Sequence, residues 1–281
     1  MGMFGAFGSE TAKGPLHRMT PLRDDPAVAW LSPEERSRVA ILVFSLWALF
    51  WIAVPPAFFS LSAGLAYLLP IYSVRVAAIV IGTCVAGVYR AVRRAIIRTR
   101  SERIERILRR DAADLAADDW TALAAEPNDT IVSVVGWVRG RQHLAHPIGG
   151  ERAVGLGLPC QQRYPGVFEV LHDFDLVDEE GRSIFIQVAE ARLYGEPNVA
   201  LDSHQLRLLY AALEVASGAT PSGWYVHRLR DGDPVMVVGA KQDFLDPADP
   251  GFRGRAPRPA LAAAPPRPLL IFSLPAERRE V

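Results

Sequence analysis

Apolar residues are spread unevenly along this chain of 281 residues. From Val39 to Val74 no residue is charged; Arg75 interrupts, and Val76 to Tyr89 is uncharged again. One membrane crossing takes about 20 apolar residues. The stretch is too long for one helix and suits two, at Val39–Phe59 and Ile71–Tyr89. Ser60, Ser62, Gly64 and Pro70 suit a short connection between them. Pro55-Pro56 is expected to kink or end the first helix, because each Pro removes an amide donor. Upstream, Ser32-Pro33-Glu34-Glu35 reads as an N-cap, a Pro at the first helical position and a capping-box Glu. Trp47, Trp51, Tyr67, Tyr72 and Tyr89 include candidate interface anchors.

After Tyr89 the pattern stays helical but turns basic. Ile97, Ile104, Ile107, Leu108 and Leu115 recur at helical spacing. Glu102/Arg106 and Glu105/Arg109 are i,i+4 pairs with the acid N-terminal. Glu126-Pro127-Asn128-Asp129 then reads as a linker. Beyond it the period shortens to that of strands. Ile131–Val138 is one, with Gly136 suggesting a bulge or tight bend. Gly166–Val177 and Ser183–Val188 flank the turn Asp178-Glu179-Glu180-Gly181. Trp224–Leu229 and Pro234–Val238 flank Arg230-Asp231-Gly232-Asp233, and Leu269–Ser273 is a last strand. One helix, Ser203–Ser217, carries an apolar stripe of Leu206, Leu209, Tyr210 and Leu213, with Asp202 or Ser203 as its cap.

The expected organisation is therefore an α+β membrane protein. Residues 1–38 form a flexible tail, 39–89 a transmembrane helical hairpin, and 90–127 a basic stalk helix with linker. Residues 128–281 form a mainly-β domain with one helix and an irregular Pro/Ala-rich loop at 241–267. Five or more short strands with one helix suit an OB-like barrel.

Charge refines this picture. Lys and Arg number 31 and so do Asp and Glu, so no bulk field draws in nucleic acid. From Asn128 onward 16 basic residues face 19 acidic ones, which argues against an OB-type nucleic-acid binder. Basic residues flank the apolar stretch on both sides, placing both termini in the cytoplasm. The Arg-for-Lys skew fits a bacterial source, hence the inner membrane. Arg90, Arg93, Arg94, Arg98 and Arg100 are the candidate contacts to anionic lipid head groups.

The segments Val134–Val138, Ala145–Gly150, Phe174–Gly181 and Leu229–Gly239 together resemble the GIDE-type domain found beside membranes. "GD-x-V-x-V-x-G" strands also occur in NfeD-like OB domains. The resemblance spans roughly residues 130–275 and implies fold and membrane proximity. GIDE-type ubiquitin ligases carry a Cys/His-rich RING module after the domain, and nothing of that kind follows Cys160. The resemblance therefore implies no ubiquitin transfer, and no site residue carries over.

Candidate chemistry is thin. His143 and His146 have an i,i+3 spacing, but Pro147 and its glycines mark a loop without a third ligand. Cys160, His172 and Asp175 can be drawn as nucleophile, base and orienter, without a local signature. The acidic run Asp173–Glu180 lacks the calcium-loop spacing, and Gly155-Leu-Gly157 lacks a dinucleotide loop's third glycine. Two cysteines, Cys84 and Cys160, make no disulfide framework. The expectation is a non-enzymatic, membrane-anchored scaffold or accessory module with no catalytic, cofactor or metal site. Its β domain would bind a protein partner or a second copy. A hydrolase using Cys160 and His172, or an OB-type nucleic-acid binder, is the alternative.

Overall fold

The computed structural model describes residues 16–21, 25–68, 74–115, 120–144, 151–161, 165–196, 198–212, 220–221, 225–244 and 258–275. Its helices are α1 (Pro33–Leu68), α2 (Val74–Asp114), α3 (Trp120–Ala125) and α4 (Ser203–Ala212), with a 3-10 turn at Pro26–Trp30. The strands are β1 (Leu16–Pro21), β2 (Ile131–Gly140), β3 (Gly155–Gln161), β4 (Pro165–Leu171), β5 (Phe174–Val177), β6 (Ser183–Ile186) and β7 (Ala191–Tyr194). They continue as β8 (Val199–Ala200), β9 (Thr220–Pro221), β10 (Tyr225–Leu229), β11 (Pro234–Phe244), β12 (Arg258–Ala262) and β13 (Leu269–Ser273).

Five strands close on themselves. β2 pairs with β5, β5 with β6, β6 with β12, β12 with β11, and β11 returns to β2. All these pairings are antiparallel except β6–β12, so the sheet is barrel-like. Inward residues alternate with outward ones: Val132, Val134, Phe174, Leu176, Ile184, Ile186, Val235 and Val237 fill the interior. Leu123 of α3, 1% exposed, joins that core, so the expected linker contains an element of the domain.

β11 is long enough to serve two partners on one edge. Val235–Val238 pair with β13 and Ala240–Phe244 with β12. β7 extends the sheet parallel to β13. Along β11 and β13 the outward side chains are apolar too: Met236, Val238, Leu270 and Phe272. A strand buried on both faces reads as a continuous apolar run, and here the second cover is helical. Ile104, Ile107, Leu108 and Ala112 of α2 pack on that outer face with Ala27, Leu31 and Val39. The last turns of the expected stalk are thus docked on the β domain.

The second sheet runs β1-β4-β3-β10-β8, with β9 on β3. Leu156, Leu158, Phe168, Val170 and Val226 pack there against Leu206 and Leu209 of α4. Asp202 caps α4, its Oδ1 accepting from the amides of His204 (2.8 Å) and Gln205 (2.7 Å). Residues 213–217 of the expected helix lie outside the described residues.

Several expectations are corrected. Residues 16–21 and 25–38 are no flexible tail, since β1 pairs with β4, Ala27 and Leu31 are core, and α1 starts at Pro33; residues 1–15 and 22–24 of the expected tail lie outside the described residues. The capping box forms, the Glu35 amide donating to Ser32 Oγ at 3.2 Å and the Ser32 amide to Glu35 Oε2 at 3.0 Å. Pro55-Pro56 does not end α1; Pro has helical φ, and the loss is two donors in a 36-residue ladder. Ser60, Ser62 and Gly64 are helical, not connecting. Gly166–Val177 is two strands, because the chain crosses between sheets at His172-Asp173. The turn Arg230–Asp233 likewise joins the two sheets rather than a hairpin. Gly136 lies in unbroken register with β11; it permits close approach, since a Cβ there would stand 2.7 Å from the Val177 carbonyl oxygen. The region 241–267 contributes strand on both sides of residues 245–257, which lie outside the described residues. Its small residues misled the reading, for Ala260 and Ala262 are buried where β12 closes against β11.

Candidate functional site

Two regions are candidates: the surface of the long helices, and a polar seam where the sheets and α2 meet. The first half of α1 meets α2 in the antiparallel sense. Arg110 Nη2 donates to Glu35 Oε1 at 3.0 Å, and the Trp47 and Tyr89 rings lie 5.7 Å apart. Among the described residues one helical stretch, Pro33–Ala57, is long and apolar enough to cross a membrane. Ile41, Phe44, Trp51 and Ile52 on it are 60–74% exposed, unlike the core of a soluble protein.

The expected lipid contacts lie on α2. Arg90, Arg94 and Arg98 are exposed and spaced by four, so they form one stripe, with Arg98 Nε donating to Glu102 at 2.7 Å. Arg93 and Arg100 are half-buried. Arg100 reaches an apolar groove of about 760 Å³ with Arg36, Val39, Val43, Phe44, Trp47 and Trp51.

The seam holds four polar side chains buried between the sheets. Arg192 on β7 is 1% exposed. It donates through Nη1 to Glu169 on β4, and through Nε and Nη2 to Asp25 at 3.3 Å each. Glu169 also accepts from the Leu193 amide at 2.8 Å, and Asp25 from the Ala27 amide at 3.0 Å and the Tyr194 hydroxyl at 3.2 Å. Burial opposes the guanidinium charge, but Glu169 and Asp25 outweigh it and hold Arg192 protonated. Burial pushes the Glu169 carboxyl up against the pull of Arg192, and pushes the Tyr194 phenol well up. One cation beside two carboxylates is a seal, joining β4, β7 and the N-terminal segment.

Beside it lies a mixed-charge cleft of about 690 Å³ lined by Glu105, Arg106, Arg109, Glu196, Arg230 and Ser273. Behind its wall residue Ser273, His227 Nε2 lies 2.7 Å from Ser273 Oγ. Gly195 makes room for the ring, since a Cβ there would meet His227 Cε1 at 2.5 Å. Arg109 Nη1 donates to the Ser273 carbonyl at 3.1 Å. The Ser–His distance is that of a nucleophile and base, but the electrostatics are reversed. Burial and then the Arg109 charge push the imidazole down to about 4. A catalytic base needs a neighbour that stabilises its imidazolium; this one has a cation.

The residues singled out in the sequence do not assemble. The His172 amide bonds the Val154 carbonyl at 3.0 Å. Cys160 stands six residues further along β3, about 20 Å away. Asp175 pairs with Arg141 at 2.9 Å. His143 Nε2 meets Asp231 Oδ2 at 2.6 Å, and His146 lies outside the described residues. Among the described residues no group of three His, Cys, Asp or Glu is placed to hold a metal ion. The seam was missed because Arg192 lies 167 residues from Asp25 and 23 from Glu169 in the chain; a lone Arg inside the strand Ala191–Tyr194 was the available signal.

Comparison with protein-family models, curated proteins and solved structures found no match.

Proposed function

We propose that this chain is a non-enzymatic accessory module anchored in the bacterial inner membrane, both termini cytoplasmic. In this reading α1 and the first half of α2 form a transmembrane hairpin, and the β domain binds a protein partner or a second copy. The observation that carries it is the exposure of Ile41, Phe44, Trp51 and Ile52 on an uncharged stretch of helix, which an apolar solvent relieves. The arginines beginning at Arg90 support the orientation.

The ring order β2-β5-β6-β12-β11, with one parallel pair, supports an OB-type barrel and the GIDE-like or NfeD-like resemblance. Nucleic acid is not the expected ligand. The stacked pair Phe185–Phe244, 4.2 Å apart, already carries Arg141 over Phe185 at 4.5 Å, and the domain is net acidic. The separation of Cys160 from His172 and the cation beside His227 support a non-enzymatic role. A partner has a fitting surface in the cleft of about 350 Å³ at Trp120, Val135 and Trp137, rimmed by Asp178, Glu179 and Glu180 with Arg182 among them, a net acidic edge. Its chemistry suits a basic, apolar segment.

Reporter fusions after residues 30 and 70 and at the C-terminus should read cytoplasm, periplasm and cytoplasm. A periplasmic C-terminal reporter sinks the topology. For the partner, Trp137→Asp should abolish co-purification of bound protein from solubilised membranes while the chain accumulates normally; unchanged co-purification removes this cleft from the reading.

A further inference from the structure

The uncharged run Val39–Leu68 is 30 residues, about 45 Å of helix, against a hydrocarbon core of about 30 Å. The surplus of roughly 15 Å has a location. Tyr89, the residue just before the α2 arginines that begin at Arg90, touches Trp47. The apolar turns Val39–Leu46 of α1 therefore run beside the arginine-bearing turns of α2, over about 12 Å. Ile41 and Phe44, 64% and 74% exposed, lie in that zone. So does most of the groove between Arg36 and Trp51.

We infer that this groove holds one anionic diacyl phospholipid drawn from the leaflet on the side of the β domain. Its phosphate lies at Arg36 and Arg100, and its acyl chains lie along Val39, Val43, Phe44 and Trp47. The inference rests on the membrane reading above and adds a specific site to it. Length fits: Arg36 to Trp51 spans about 22 Å, close to one leaflet with its head groups. Charge fits, because Arg36 and Arg100 come from the turns next to Leu31, Val39 and Ile104, which pack on the β domain, and the rest of the lining is uncharged. The Arg36 guanidinium is also fixed in advance. Its Nε donates to the Leu31 carbonyl at 2.9 Å and its Nη2 to the Ala29 carbonyl at 3.1 Å, leaving further donors of its five. A bound lipid thus covers apolar helix that the bilayer core is too thin to cover.

The test uses the full chain, extracted in mild detergent and equilibrated with equal phosphatidylglycerol and phosphatidylcholine, then weighed intact by native mass spectrometry. One phosphatidylglycerol per chain should be retained in preference to phosphatidylcholine. The Arg36→Gln/Arg100→Gln double variant should retain it about 30-fold less well. Ala48→Trp, which fills the groove, should lose both lipids while resisting alkaline extraction from membranes as wild type does. Equal retention of the two lipids, or unchanged retention by Ala48→Trp, overturns the site. A chain dimer that Ala48→Trp dissociates also overturns it, because a second copy is then the occupant. If wild type washes off membranes at alkaline pH, the anchor reading itself fails.

Discussion

The outer face of β11 and β13 and the surface of α1 use the same residue types to opposite ends. Met236, Val238, Leu270 and Phe272 are at most 4% exposed beneath α2, whereas Ile41, Phe44 and Ile52 stand 64–74% exposed. The difference lies in the partner helix. The last turns of α2 alternate Ile104, Ile107 and Leu108 with Glu105, Arg106 and Arg109, so one stripe docks and the other meets water. α1 is apolar around its circumference from Val39 onward, so docking one side cannot satisfy the rest. Hydrophobicity alone therefore did not say what buries these residues; its periodicity did.

That contrast can be broken at the domain's centre first. Phe174→Asp places an unpaired charge inside the barrel, where Phe174 is fully buried. It should cost more than about 4 kcal/mol and leave little folded protein, read as loss of accumulation in membranes. Arg192→Met should cost about 3–5 kcal/mol, since it strands Glu169 and Asp25 without their cation. A thermal midpoint in detergent equal to wild type would show that the seam does not bind the sheets together.

His227 sharpens the comparison through pH. Its folded pKa, about 4, lies below the ordinary 6.5, so the unfolded chain binds the extra proton between those values. Stability from this group is whole above pH 6.5 and falls as pH drops towards 4, by about 3 kcal/mol in total. Thermal midpoints of wild type should decline across that window more steeply than those of His227→Gln; parallel curves would remove His227 as the cause. The smallest effect belongs to α1. Ile41→Ala and Phe44→Ala should shift the unfolding of the β domain by less than about 0.5 kcal/mol, whereas Ile104→Ala, fully buried, should cost about 3 kcal/mol. Equal losses at Ile41 and Ile104 would mean that protein covers both.

Much of the strand inventory was legible because Val, Ile and Phe alternate around recognisable turns. Gly181 and Gly232 have φ of +81° and +76°, as those turns require. The capping box at Ser32 and the Asp202 cap were local and readable. Pairing was not. Nothing near residue 16 announces that β1 joins β4, nor does Ala-rich Arg258–Ala262 look like the strand that closes the ring. The seam and the His227–Ser273 contact join residues 167 and 46 positions apart, beyond the reach of any local pattern. The uninterrupted runs in β11 and β13 did carry a message about their second cover, legible only once α2 was found lying across them.

The continuity of α2 matters beyond packing. It is a single helix of 41 residues, about 62 Å long, whose far end is clamped to the β domain by Ile104–Ala112. In the membrane reading proposed above, such a rod would work as a gantry instead of a tether. The domain would keep one height and one tilt above the lipid plane, and the freedom left to it would be gliding in that plane and spinning about the membrane normal. A partner moored in the same membrane is then sought in two dimensions at a fixed elevation. Contact would depend on whether the partner presents its surface at that elevation, much as a shelf meets only what stands at its level.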